Sequence, residues 1–192
     1  MSYYDDPKNV QQYVEMAEGY DGRELIEALA RHLPAGATVL ELGMGPGKDL
    51  DLLKQTFGAT GSDAAQPFLD RYRERHPQAD LLRLDAVRMD AAIDAGRTFD
   101  AIYSNKVLYH LTPDELRVSL RNQACVLNPG GLLLHSLWYG EGEEEMHGLH
   151  FAYYTEITFA ALVGDEYETI ETARYTEMEP DDSFYVVLKK RA

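Results

Sequence analysis

Val39-Leu40-Glu41-Leu42-Gly43-Met44-Gly45-Pro46-Gly47-Lys48-Asp49-Leu50 is the stretch on which the reading of this chain turns. An apolar run carrying one carboxylate gives way to three glycines on alternate positions and then to a helical pattern, so it reads as strand, tight turn, helix. Glycines at 43, 45 and 47 allow positive φ and let a ligand lie directly against the main chain at the start of a helix. A nucleotide-like ligand is expected there.

Outward from this turn, the 192 residues, 45% of them hydrophobic, suffice for one domain with a sizeable core and are too few for two ordinary ones. A formal net charge of −15 repels nucleic acid and anionic membrane, so neither is expected as a partner. Arg71, Arg73 and Arg75, the nearest approach to a basic patch, read as a solvated helix face. Cys125 is the only cysteine, which excludes an intrachain disulfide and any multi-cysteine metal centre; it is expected as a small buried apolar residue. No metal site is expected. The beginning of the chain lacks the basic and apolar regions of a secretion signal, and no apolar run has transmembrane length, so a cytoplasmic protein is expected.

Before the glycine turn, periodic apolar residues predict two helices, Asn9 to Tyr20 and Arg23 to Leu33, forming with the rest of residues 1–35 a cover rich in tyrosine: Tyr3, Tyr4, Tyr13 and Tyr20. After it the chain alternates. A helix from Asp49 to Thr56, a strand at Ala59–Asp63, a helix from Ala65 to Arg75, a strand at Ala79–Leu84 and a strand at Phe99–Asn105 are predicted in turn. Thr112-Pro113-Asp114-Glu115 has the form of a capping box with proline at the first helical position, and its helix runs to about Leu127. Asn128-Pro129-Gly130-Gly131 reads as a turn before a fifth, central strand at Leu132–Leu137. Residues 138–154 break the alternation as a long loop of aromatic and acidic residues, Thr155 caps a last helix, and Tyr167–Glu177 with Phe184–Arg191 read as an antiparallel hairpin at one sheet edge.

Acidic residues recur at strand tips. Asp63, about twenty positions beyond the glycines, is placed either to accept hydrogen bonds from two ribose hydroxyls or to cap the helix that follows. Asp85-Ala86 ends the next strand and Asn105 the fourth. The dinucleotide fingerprint G-x-G-x-x-G requires its third glycine at position 48, where Lys48 stands instead.

Taken together, E-x-G-x-G-x-G after a strand, the two strand-tip acids, the segment Asn105-Lys106-Val107-Leu108-Tyr109-His110-Leu111, Asn128-Pro-Gly-Gly and the closing hairpin resemble the class I S-adenosylmethionine-dependent methyltransferases of small-molecule type over residues 36–192. The resemblance implies a single α/β domain, a doubly wound, mostly parallel seven-stranded sheet with an antiparallel last strand. It implies S-adenosylmethionine held by Glu41, Gly43, Gly45 and Gly47, with Asp63 and the adjoining Ala64 on the ribose, Asp85 and Ala86 on adenine and Asn105 toward the methionine end; the rings of the tyrosine-rich cover, Tyr13 among them, either meet the sulfonium cation with their faces or pack on the core. A small-molecule acceptor is then expected in the 138–154 loop region, with His147, Tyr109 or His110 as candidate bases and Tyr153 as a further proton acceptor. An NAD(P)-dependent oxidoreductase, which shares the glycines and Asp63, and a non-catalytic protein that only binds the donor are the alternatives. Oligomeric state is left open.

Overall fold

The computed structural model describes residues 3–146 and 148–191. Two helices, α1 (Pro7–Met16) and α2 (Arg23–Ala30), precede an alternating run: β1 (Thr38–Leu42), α3 (Lys48–Leu53), β2 (Gly58–Asp63), α4 (Gln66–Arg75), β3 (Leu81–Arg83), α5 (Asp90–Asp94), β4 (Phe99–Asn105), α6 (Pro113–Val126) and β5 (Leu127–Trp138). A small hairpin, β6 (Glu143–Met146) and β7 (Leu149–Ala152), leads into α7 (Glu156–Ala160), and the chain closes with β8 (Tyr167–Tyr175) and β9 (Ser183–Lys190). The main sheet has seven strands in the order β3-β2-β1-β4-β5-β9-β8. The first five run parallel, and β9 lies antiparallel between β5 and β8. The expected doubly wound sheet with an antiparallel last strand is therefore present. The chain winds outward from β1 to β3 and then returns to place β4 on the other side of β1, so the tips of β1 and β4 part at a topological switch point, where α/β sheets open a crevice.

Alternate residues of the buried strands feed two apolar layers. Val39, Ala101, Tyr103 and Leu134 pack under α2 and α3 with Leu25, Leu29, Leu50 and Leu53. Leu40, Leu42, Ile102 and Leu133 face α6 through Leu116 and Leu120, with Phe184 and Leu188 of β9. This two-residue period, with both faces covered, is why the parallel strands read as continuous apolar runs.

Several expectations need correction. The middle strand is β4, with three strands on either side, while the strand at Leu132–Leu137 lies one place off centre. α1 stops at Met16, before Gly19 with its φ of 98°, and Tyr20 is exposed. Asn128–Gly131 is no separate turn: α6 runs straight into β5, whose partner register jumps from Phe99↔Leu127 to Ala101↔Leu132, so four residues bulge out of the ladder. Within residues 138–154, where a loop was expected, Glu143–Met146 and Leu149–Ala152 pair as antiparallel strands, and α5 was not foreseen. Cys125 is exposed. Leu116, Ser119, Leu120 and Gln123, at positions i, i+3, i+4 and i+7, share the buried face of α6, and two further residues turn Cys125 to the opposite side. The expected capping box of Thr112 with Glu115 is formed, and Thr155, expected as a cap, forms a second box with Thr158.

His135 in β5 is fully buried, its Nδ1 2.8 Å from Ser104 Oγ and its Nε2 2.9 Å from Gln123 Oε1. Burial holds its pKa down to about 3, against an ordinary 6.5. Between those values the unfolded chain binds a proton that the folded chain refuses, so the stability carried by neutral His135 is complete above pH 6.5 and is lost as pH falls toward 3. The expected slope is up to about 1.4 kcal/mol per pH unit. Urea unfolding from pH 7 to 4 should show this component in the native protein and not in a His135→Gln variant, whose amide keeps one donor and one acceptor; identical pH slopes would contradict it.

Candidate functional site

A cavity of about 320 Å³ opens at the switch point, over the C-terminal tips of β1 to β4. Its floor is the glycine turn. Gly43 and Gly45 have φ of 65° and 48°, and both line the cavity. A side chain on Gly45 would start 3.3 Å from the Tyr13 ring, and one on Gly43 would collide with Val107, so only bare backbone fits this floor. Gly47 takes φ 84° as the N-cap of α3 but lies behind the cavity, where a Cβ would stand 2.3 Å from the ring of Tyr72.

One wall carries the strand-tip acids. Asp63 accepts from Gly45 N at 2.9 Å through Oδ2 and from Ala65 N at 2.8 Å through Oδ1, so its carboxylate braces the glycine floor and caps the turn into α4 together. Burial pushes its pKa up while those backbone amides pull it back. Ala64 lines the cavity beside it. Asp85 receives Val87 N at 2.8 Å and Arg88 N at 3.0 Å on Oδ1, shaping a tight loop in which Ala86 and Val87 also line the cavity.

The roof is aromatic. Tyr4, in the short 3-10 turn Tyr3–Asp5, meets Tyr13 of α1 edge to face at 5.5 Å, and both rest on Phe68 of α4. This patch, with Val10 and Ala65, is a satellite core separate from the two main layers. The far wall comes from the turn after β4. Tyr109 and His110 pack ring against ring at 4.1 Å, and Phe151 of β7 lies 5.5 Å from the first and 5.0 Å from the second. His110 Nδ1 donates to the His150 carbonyl at 2.8 Å, which leaves Nε2 as the nitrogen with a free lone pair when the ring is neutral. Burial lowers the His110 pKa, so the ring is neutral at physiological pH. The Tyr109 phenol is pushed well up by burial and remains a donor.

Three other expected residues lie outside the cavity lining. Glu41 is buried beneath the floor, its Oε2 without a partner among the described residues, and burial reinforced by Asp49 and Asp63 raises its pKa well above the usual range. Asn105 bonds Asp49 at 3.1 Å and receives Ser136 Oγ at 2.7 Å. Tyr153 donates to Glu144 at 2.5 Å and lines a separate groove between the small hairpin and α7. His147 lies outside the described residues.

Two residues that the sequence did not single out support the site. Asp49 accepts from Gly22 N at 2.7 Å, from Tyr103 at 2.7 Å and from Asn105, tying the start of α2 to the tip of β4. Lys106 adopts φ 54°, donates to Ser183 Oγ at 2.6 Å and to the Leu137 carbonyl at 3.2 Å, and sits 3.9 Å over the Trp138 ring, where burial brings its pKa down to about 8. Asp49 follows the glycines and so was legible as part of the turn. The partners of Lys106 come from β5 and β9, distant in sequence, and no local pattern announces them.

The winding order, the closing hairpin and a glycine-floored crevice flanked by strand-tip acids define a Rossmann-like methyltransferase fold. Residues 39–131 match the family model described as a methyltransferase domain, and the chain belongs to the class I S-adenosylmethionine-dependent methyltransferases. It is 34% identical over 143 residues to the trans-aconitate 2-methyltransferase of Variovorax paradoxus, covering 72% of this chain and 53% of that protein. It is 30% identical over 120 residues to the tRNA (carboxymethyluridine(34)-5-O)-methyltransferase of Arabidopsis thaliana, covering 62% of this chain and 28% of that one. The chain thus spans about half, or less, of the length of these relatives. Among solved structures, the 1,6-didemethyltoxoflavin-N1-methyltransferase of Burkholderia thailandensis, with bound 1,6-didemethyltoxoflavin and S-adenosylhomocysteine, shares the fold at a TM-score of 0.75 and 19% identity, over 100% of this chain and 92% of that one. No helix among the described residues is long and apolar enough to cross a membrane.

Proposed function

We propose that this protein transfers a methyl group from S-adenosylmethionine to a small-molecule acceptor, with the donor lying along the glycine floor and the acceptor against the Tyr109–His110 wall. The observation that carries this reading is the division of one cavity into two chemically different ends: backbone and carboxylates at Gly43, Gly45, Asp63 and Asp85, and rings with a neutral imidazole at Tyr109 and His110. The acidic end suits the hydroxyls and amine of an adenosine. Asp63 is positioned to accept from ribose hydroxyls, and the Ala86 N–H to meet the adenine ring. The ring-rich roof of Tyr4 and Tyr13 suits a sulfonium, and its phenols stay protonated, because burial raises both pKa values, that of Tyr4 to about 12.

When bound, the donor supplies an electrophilic methyl carbon and a neutral thioether leaving group. The protein then has little covalent chemistry to do. It holds the acceptor atom in line, keeps water out beneath Tyr4 and Tyr13, and removes a proton where the acceptor carries one. His110 is suited to removing that proton, since its Nδ1–H is committed to the His150 carbonyl, its Nε2 is free to accept, and burial keeps the ring uncharged. Acidic composition favours a small acceptor over a polyanion.

Incubation with donor carrying an isotopically labelled methyl group, against a panel of hydroxy, amino, thiol and carboxylic acids and unfractionated tRNA, tests this. Label transferred to a small acceptor supports the proposal; label found only in tRNA, or in none of the panel while any member reduces added NAD(P)+, contradicts it.

A further inference from the structure

Beneath the cavity runs a chain of buried polar side chains in which the donor and the acceptor of each link are determined. Ser119 Oγ lies 2.6 Å from the Ala86 carbonyl, which only accepts, so the single Ser119 hydroxyl proton is committed to it. Ser119 Oγ must then accept, and it does so from Gln123 Nε2 at 2.9 Å. That turns Gln123 Oε1 toward His135, 2.9 Å away, which requires the imidazole proton on Nε2. His135 Nδ1 is left with a lone pair, and Ser104 Oγ donates to it at 2.8 Å. Ser119, Gln123, His135 and Ser104 are all fully buried, on α6, β5 and β4, where apolar residues would otherwise be expected. Burying four such groups is costly unless each is satisfied, and here each one is.

The chain ends on the loop that follows β3, and the loop is held unusually firmly there. Ala86 C=O and Val87 N–H belong to one peptide group; Ser119 holds its oxygen, and Asp85 Oδ1 holds its nitrogen. The next peptide group is held the same way, its oxygen by Asn122 Nδ2 at 2.8 Å and its nitrogen by Asp85 Oδ1. Two consecutive peptide planes are therefore clamped at both ends. The Ala86 N–H, one bond before them, has no partner among the described residues, and Ala86 lines the cavity.

We infer that the buried relay Ser104–His135–Gln123–Ser119 is a positioning device that fixes the Ala86 amide for recognition of the base of the bound nucleoside, making these residues determinants of adenine selectivity without touching the ligand. The inference rests on the proposal that an adenosyl donor occupies the cavity. A donor group held rigidly at Ala86 favours a ring nitrogen with a lone pair, as in adenine, over one bearing hydrogen, as in hypoxanthine. Loosening the loop should therefore weaken adenine binding and blunt the distinction between the two bases.

The test compares native protein with Ser119→Ala, Ser119→Thr and His135→Phe, using calorimetric affinity for S-adenosylhomocysteine and for its inosyl analogue, below the melting temperature of each variant. Ser119→Ala is expected to lose about tenfold in affinity for the adenosyl compound, the worth of one hydrogen bond. Its loss for the inosyl compound should be smaller, so the preference narrows. Ser119→Thr, which keeps the hydroxyl, should restore both, and His135→Phe should act in the same direction as Ser119→Ala. Equal losses for the two compounds, or native affinities in Ser119→Ala, would overturn the relay's role. Failure of the native protein to bind S-adenosylhomocysteine at all would instead overturn the reading of the site, and the inference with it.

Discussion

Replacing Asp63 with alanine should lower the affinity for S-adenosylhomocysteine by roughly 100-fold or more, because two hydrogen bonds from hydroxyls to a charged carboxylate are worth about 1.5 to 3 kcal/mol each. The same carboxylate holds the Gly45 and Ala65 amides, so its loss also loosens the floor on which the ligand lies. Asp63→Asn separates the two effects: it keeps a carbonyl oxygen for one backbone amide and removes the charge. Its affinity should fall between native and Asp63→Ala. Calorimetry on folded variants checks both, and an Asp63→Ala protein that binds as tightly as native would remove Asp63 from the site.

Replacing His110 with glutamine should reduce kcat by about 10² to 10³, the range expected for loss of a general base, while leaving affinity for S-adenosylhomocysteine within a few-fold of native. Glutamine can still donate to the His150 carbonyl, so the wall keeps its shape. Because the His110 pKa lies below its ordinary 6.5, the native rate should be level at neutral pH and fall only below that value, where Nε2 gains a proton. This acid limb should be missing from His110→Gln. An unchanged kcat, with the limb intact, would show that the acceptor arrives already deprotonated or that another group accepts its proton.

What the sequence made legible divides along a physical line. Where local spacing carries the information, the reading and the structure agree at the glycine turn, the capping box at Thr112, the cap at Thr155, the apolar runs of β1 and β4 and the closing hairpin, all of which arise from residues near one another in the chain. That Asp63, Asp85 and Ala86 line one cavity was legible because strand tips in a parallel sheet all open to one side, so acids at those tips gather in space. Tertiary contacts were not legible. The Lys106 ammonium over Trp138 and on Ser183, and Asp49 bridging Gly22 and Tyr103, join segments 27 to 77 residues apart, and the polar relay through His135 likewise ties together separate elements. Gln123 and Ser119 are polar residues within a helix, and only the structure shows that they face inward. Cys125 was misplaced for the converse reason: a residue type that is usually buried stands on the solvent side of the same helix. The pairing of β6 with β7 escaped because the first of these strands is glutamate-rich and exposed, without the apolar alternation that marks a strand.

The central claim is that an adenosyl sulfonium compound lies on the backbone of Gly43 and Gly45. Its most direct test is isothermal titration of the native chain with S-adenosylhomocysteine and, separately, with NAD and NADP. The account predicts saturable one-site binding of S-adenosylhomocysteine, lost in Asp63→Ala, and no binding of either dinucleotide. Tight binding of NAD or NADP without affinity for S-adenosylhomocysteine would contradict it.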